Sequence, residues 1–215
     1  DTVIANAAQP NVVQMLPESQ CRVLQKRIGK LRPACSLLSV YLGFNIDLRE
    51  LGVTHYSNVI LNKALKSLKD MKDDAHSPWI ERSFTFVNYG VIDSQLCPKG
   101  KSLGVICTTD YLADWEGLDD KDYQIQKEVV ARTLLKRLEK EYPTILNYLE
   151  YYEVATPKTI HHYTLNPAGT AYGYVQSIGQ TGLLREKVTA SPIRNLYFSS
   201  AWAPSGGGYS GAIYS

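Results

Sequence analysis

The sequence predicts an α+β domain: a mixed, largely antiparallel sheet with flanking helices. Three observations lead there. Short apolar runs such as CSLLSVYLGFNI (35–46) have the length and β-branched, aromatic content of strands. Other stretches, above all 119–142, repeat apolar residues three and four apart, the spacing of a one-sided helix. The two kinds are mixed without strict strand–helix–strand alternation, which argues against a doubly wound parallel sheet.

The elements follow in order. DTVIANAA (1–8) reads as a short buried strand that ends in a turn at Pro10. ESQCRVLQKRIGKLRPA is a short helix with its basic residues late, closed by Gly29 and Pro33. Cys35–Ile46 is a central strand, and HYSNVIL (55–61) is a second. LNKALKSLKDMKDD (61–74) places Leu61, Leu65, Leu68 and Met71 on one helical face and predicts an amphipathic helix. SFTFVNYGVID and KSLGVICTTDY pair antiparallel through the turn-rich SQLCPKGK. Residues 119–142 form the longest helix, capped by Asp119 or Asp120, with acids early and Lys/Arg late as the helix dipole favours. Pro143 breaks it, and TILNYLEYY resumes helical spacing. EVATPKTIHHYT is extended at Thr156-Pro157. NPAGTAYGYV is a loop, RNLYFSS a last strand, and SGAIYS the start of a helix.

Composition narrows the function. The chain has 215 residues, 44% hydrophobic and 20% charged, enough for one large domain or two small ones with a real core. A net charge of +2 without a basic block does not point to nucleic acid. No apolar run approaches the roughly 20 residues of a membrane span. The opening residues have no basic region or cleavage site of a signal peptide, and the chain starts abruptly, without Met. Cys21, Cys35, Cys97 and Cys107 make no C-x-x-C pair and no zinc spacing with His. They read as free thiols of a reducing cytoplasm rather than a disulfide or a nucleophile. His161-His162, in an extended segment, would face opposite sides, so a structural role is favoured and no metal is expected. DWEGLDDKD is a solvated loop and helix cap.

The last residues carry the one suggestive motif. Gly206-Gly207-Gly208-Tyr209-Ser210-Gly211 fits G-x-G-x-x-G, but five residues separate it from the preceding strand and four follow it. A dinucleotide loop needs the strand immediately before it and a second strand beyond. The glycines still allow positive φ and close backbone approach, and Ser210-Gly211-Ala212 opens a helix with small residues only. A flat ring with a carbonyl could lie against such backbone N–H groups; a glycine linker tail is the alternative.

NLYFSSAWAPSGGGYSGAIYS resembles the carboxy-terminal flavin segment of the phytoene desaturase and carotenoid isomerase family of amine-oxidase-like FAD oxidoreductases. DTVIANA is similar to that family's strand re-entering the FAD domain. VIDSQLCPKGKSLGVI is similar to its D-P-S-x-A-P-x-G hairpin. TPKTIHHYTLNPAGTAYGY is similar to its T-P…N-P-x-G-x-x-Y-G stretch. The four stand in family order and span essentially the whole chain.

The resemblance implies the carboxy-terminal part of a longer FAD enzyme acting on carbon–carbon bonds of an apolar, polyene-like substrate: a desaturase, saturase or isomerase. Residues 1–8 and 191–215 would be edges of the FAD domain, and 9–190 the substrate domain. It places Ser200, Ala201, Trp202, Gly206, Gly207, Gly208, Tyr209, Ser210, Gly211 and Ala212 at the flavin. Many relatives end the last strand in Gly followed by Asp or Ala. Ser200-Ala201 stands there instead, so no carboxylate reaches the ribityl hydroxyls. Tyr163, Tyr172 and His162 are the expected substrate contacts, from a chain with 15 tyrosines, of which Tyr148, Tyr151, Tyr152, Tyr163, Tyr172 and Tyr174 crowd the last third. No catalytic residue is indicated. The expected partners are the apolar substrate, the amino-terminal FAD domain and a membrane touched at its periphery, with a cytoplasmic location and no nucleic acid. A non-catalytic ligand- or partner-binding α+β domain, or an unrelated interaction domain, is the alternative.

Overall fold

Alternation and helical spacing both become real elements in a computed structural model that describes residues 1–92, 95–180, 191–203 and 205–214. In chain order they are β1 (Val3–Ala5), α1 (Gln9–Met15), α2 (Glu18–Ile28), β2 (Ser36–Phe44), β3 (Ser57–Ile60), α3 (Met71–Asp74), β4 (Phe84–Asn88), β5 (Ser102–Asp110), α4 (Asp120–Glu141), β6 (Leu149–Ala155), α5 (Pro157–Thr164), β7 (Leu196–Phe198) and α6 (Gly208–Ile213). They group into two units. One comprises 1–36, 111–113 and 157–215, and the other 37–110 and 114–156.

The second unit is a five-stranded sheet in the order β3-β4-β5-β2-β6. The pairs β3/β4, β4/β5 and β2/β6 are antiparallel. Along β2, Leu38, Val40, Leu42 and Phe44 are buried while their neighbours are less so, the period-two signature of a strand. Helix α4 covers that face with Val130, Ala131, Leu134, Leu135 and Leu138. Asp119 caps the helix: its Oδ1 accepts the Asp122 N–H at 2.8 Å.

Charge is also buried here, and among the described residues Asp110, Arg82 and Arg137 each have partners. Asp110 pairs with Arg82 at 3.2 Å and accepts the Trp115 indole N–H at 2.7 Å. The Arg82 guanidinium lies 3.7 Å over the Trp79 ring. Arg137 donates to the carbonyls of Trp79, Glu81 and Arg82.

The first unit holds a two-stranded parallel sheet, β1 against β7, in the register Val3↔Leu196, Ile4↔Tyr197, Ala5↔Phe198. Beside it Ala8, Val13, Leu24, Ile28, Tyr174 and Trp202 form a core of their own. The α+β expectation holds, with a mostly antiparallel sheet and a small parallel one.

Four local expectations do not hold. Strand β1 is not buried: Ile4 is 68% exposed. The turn at Pro10 is helix α1, because proline is well placed in a first turn. Residues 61–70 are turns, not helix. Asn62 Oδ1 accepts the Ala64 N–H, and Asp70 Oδ2 accepts those of Lys66 and Ser67. These side chains take the backbone donors that a helix would use. Asn62 Nδ2 also bonds Asp74 Oδ1 at 2.8 Å, closing ends that a helix would hold about 18 Å apart.

The fourth concerns 144–164, where strand and helix are exchanged. Thr144 at φ 70 follows Pro143, and the chain then runs as β6 along β2. Pro157 starts α5 instead of extending the chain, so His161 and His162 lie on a helix. The Asp93-Ser94 step of the expected hairpin, residues 181–190, Pro204 and Ser215 lie outside the described residues.

Candidate functional site

Strand β7 delivers the chain to Ser200, and there the first unit gathers three of the stretches singled out in the sequence. Ser200 Oγ donates to the Ala7 carbonyl at 3.2 Å and accepts the Trp202 N–H at 3.3 Å. Trp202 is 2% exposed. It meets Tyr174 edge to face at 4.8 Å, and its indole N–H donates to Asn166 Oδ1 at 3.2 Å. Tail, first strand and the 166–175 loop are thereby locked together.

The glycines then turn the chain. The Gly206 N–H donates to the Ala203 carbonyl at 3.1 Å. Gly206 and Gly208 have φ of 85° and 80°, open to glycine at little cost. Gly207 packs on the 172–173 backbone: a Cβ there would lie 2.6 Å from the Tyr172 carbonyl oxygen. Gly211 allows the first turn of α6 to fold over the Gly206 carbonyl, 2.5 Å from where its Cβ would be. Gly208 faces outward, with nothing within 4 Å of a Cβ.

This sorts the expected flavin contacts. Ser200, Ala201, Trp202, Gly206, Gly207 and Gly211 are occupied in holding the segment to its own unit. Gly208, Tyr209, Ser210 and Ala212 line its open side, and Tyr209 is 92% exposed. No side chain caps α6, because its N-cap is Gly207. Of these, Gly208, Tyr209 and Ser210 can offer backbone N–H groups and a flat approach to the carbonyl edge of a ring. They cannot offer a carboxylate or a pyrophosphate cradle.

The expected substrate contacts lie in the same unit. Tyr172 is half-exposed and joins the glycines through its backbone. His162 and Tyr163 are exposed on α5, their rings edge to face at 5.0 Å. His161 Nδ1 is 2.9 Å from the Asn166 carbonyl oxygen. A cavity of about 330 Å³ in this unit is lined by Pro10, Val13, Ile28, Leu31, Pro167 and Tyr174 among others. The crowd of tyrosines divides: Tyr148, Tyr151 and Tyr152 belong to the other unit. Burial pushes the Cys35 and Cys107 thiols up, so neither is primed as a thiolate.

Sequence reasoning missed Asn166 and Gly173 as the clamp on this segment. Asn166 holds the Trp202 indole, and Gly173, at φ 76, admits the Ala201 carbonyl. The only sequence signals were the Asn-Pro and Tyr-Gly dipeptides.

No family model matches the chain. Prolycopene isomerase, chloroplastic, of Daucus carota is 38% identical over 108 residues, which cover 50% of this chain and 17% of that protein. All-trans-retinol 13,14-reductase of Danio rerio is 28% identical over 207 residues, 88% of this chain and 33% of that one. A 4,4'-diapophytoene desaturase of Staphylococcus aureus is 22% identical over 215 residues, 97% and 42% respectively. The chain thus spans less than half the length of each. In fold it is similar to an oxidoreductase of Methanosarcina mazei (TM-score 0.54, 15% identity, 99% of this chain and 40% of that one). It is also similar to cyclohexylamine oxidase of Brevibacterium oxydans (TM-score 0.56, 9% identity, 99% and 40%). Its homologues are thus an isomerase, a reductase and a desaturase and its structural neighbours oxidoreductases, which is consistent with the phytoene desaturase and carotenoid isomerase-like, amine-oxidase-like family over the part of those proteins that the chain spans.

Proposed function

We propose that the chain is part of an FAD-dependent oxidoreductase that acts on carbon–carbon bonds of an apolar, polyene-like substrate as a desaturase, saturase or isomerase. The observation that carries this reading is the relationship to three proteins named for such chemistry, one of them along 97% of the chain. Residues 1–8 and 191–215 are assigned to the flavin domain, and 9–190 to the substrate domain.

Bound flavin supplies hydride acceptance or donation. The chain's own part is positioning. The open side of 208–210 presents backbone N–H groups to the ring edge, and Gly207, packed on the Tyr172 backbone, seats that turn. Tyr172, Tyr163 and His162 are assigned to the apolar substrate. The reading places the protein in a reducing cytoplasm, supported by four free cysteines, and at the periphery of a membrane where such a substrate dissolves. Among the described residues no helix is long and apolar enough to cross one.

The test is the visible absorption spectrum of the product of the complete gene beside that of residues 1–215. A flavin band is expected in the first. Stoichiometric flavin is not expected in the second, whose described residues show no pyrophosphate cradle. A complete product without flavin would leave a ligand-binding domain and remove the enzymatic reading.

A further inference from the structure

The cavity of about 330 Å³ lies wholly within the first unit. Its floor is Val13 of α1, Ile28 of α2 and Tyr174, all buried. Half-buried Pro10, Leu31 and Pro167 wall it. Gln14 and Gln25 are its exposed rim.

The walls cannot turn inward to close this space. A proline ring is fixed to its own backbone. Tyr174 is held at three points: its hydroxyl donates to Gln9 Oε1 at 3.4 Å, its ring meets Trp202 edge to face, and its backbone bridges Pro33. The Ala34 N–H donates to the Gly173 carbonyl at 2.7 Å and the Val175 N–H to the Arg32 carbonyl at 2.9 Å, which pins the two segments together. Close-packed interiors hold few voids larger than a water molecule, and an unfilled apolar void lowers stability. A hollow kept open by rigid rings is a preformed site, and a ligand entering it loses little to ordering.

The lining sets the chemistry of the ligand. None of the residues that line the cavity is charged, and Lys26 and Arg27 of α2 are not among them. An anionic group would lose its hydration there without meeting a counter-charge. The Tyr174 hydroxyl is engaged with Gln9, which leaves the two rim amides as the polar side-chain groups on offer. Among the described residues Gln14 has no side-chain partner, and Gln25 Oε1 receives the Cys21 thiol at 3.9 Å. Each amide can donate to and accept from a hydroxyl or carbonyl. A cavity of about 150 Å³ holds benzene, so roughly twice that volume takes two fused rings, about ten carbons.

We infer that this cavity binds a neutral, ring-shaped apolar molecule of about ten carbons that carries one hydroxyl or oxo group. Its rings lie among the proline walls and the Tyr174 side chain, and its oxygen reaches the amides of Gln14 and Gln25. The site is separate from the glycine segment: neither Trp202 nor any residue of 206–212 lines it. The inference rests on the geometry of this unit and is read without flavin, so it and the functional reading can fail independently.

The experiment is equilibrium dialysis of the complete gene product at neutral pH against 2-naphthol, with naphthalene and the 2-naphthoate anion in parallel. 2-Naphthol should bind at submillimolar concentration and raise the melting temperature. Naphthalene should bind about fivefold more weakly for want of the hydroxyl, and 2-naphthoate about tenfold more weakly or worse. Val13→Phe puts a ring into the cavity and should weaken 2-naphthol about tenfold or more without lowering the melting temperature. Gln14→Leu/Gln25→Leu, at the exposed rim, should weaken 2-naphthol about fivefold and leave naphthalene no weaker, a change of ratio that misfolding would not produce. If Val13→Phe melts early, the rim variant carries the test. No binding of 2-naphthol, equal binding of 2-naphthoate, or 2-naphthol binding that a stably folded Val13→Phe leaves intact would overturn the proposal. An unchanged ratio of 2-naphthol to naphthalene in the rim variant would overturn the part given to the amides.

Discussion

Gly173 rests against the carbonyl of Ala201: a Cβ on Gly173 would stand 2.3 Å from that oxygen, at a φ of 76° that side chains rarely adopt. Both strain and overlap oppose any larger residue. Gly173→Ala should cost about 3–5 kcal/mol. Gly117→Ala is the control: its φ is 77° but nothing lies within 4 Å. It should cost only about 1–2 kcal/mol. Thermal melting of the two variants separates overlap from strain, and equal losses would deny the close approach.

Gly208 shares the strain but not the crowding. Gly208→Ala should therefore cost about 1–2 kcal/mol of stability. In the complete gene product it should also lose flavin on gel filtration, because the added methyl group stands on the open side. Retention of flavin equal to the parent's would take Gly208 out of the contact.

Arg137 is a buried cation whose partners are three main-chain carbonyls. Burial pulls its pKa down, while Asp74, Glu141 and Glu81 act the other way. Arg137→Ala would strand carbonyls of Trp79, Glu81 and Arg82 and should cost about 3 kcal/mol or more. Arg137→Lys should recover only part of this, since an ammonium cannot fork across several acceptors. Urea titration of both variants measures the difference.

The Asp74 carboxyl gives the closed ends of the 61–74 stretch a pH dependence. Burial alone would push its pKa up. The hydrogen bonds from Ser83 and Asn62, with Arg82 nearby, more than offset this and hold it below the ordinary value. A carboxyl lowered by folding stabilises above its unfolded pKa of about 3.9, and that stability is lost as pH falls through the folded value. Melting temperature should be level from neutrality to about pH 4 and then fall. Asp74→Asn should be less stable at pH 7 and show a shallower acid decline. An acid limb as steep as the parent's would place the titration elsewhere.

Much of the sheet was legible because a strand against a core is a short run rich in apolar, β-branched and aromatic residues. The apolar run 35–46 announces β2, and Asp119 with its acidic first turn announces α4. The errors share a cause: a decision made by a residue outside the window. Asn62 and Asp70 divert backbone donors that an apolar period alone would assign to a helix. At 149–155 the apolar spacing allows either form, and pairing with β2 decides for strand. Pro157 marks a helix start or an extended segment equally well. At the candidate site the glycines were legible as glycines. What each one accommodates was not, because Tyr172 meets Gly207, and Ala201 meets Gly173, across long stretches of chain.

The pairing of β1 with β7 also sets an order of assembly. Ser200 and Ala7 are joined across 193 residues of chain, whereas β3, β4 and β5 are sequential antiparallel neighbours. Closing so long a segment carries an entropic cost that few contacts in a two-stranded ribbon can offset early. The hairpins should therefore form first and the ribbon last. In native-state hydrogen exchange, the amides of Val3 and Ser199, which bond Asn195 and Ala5 across it, should open before those of β4 and β5. The glycine segment that β7 presents should then become ordered at the end of folding, as one step with the closing of the ribbon.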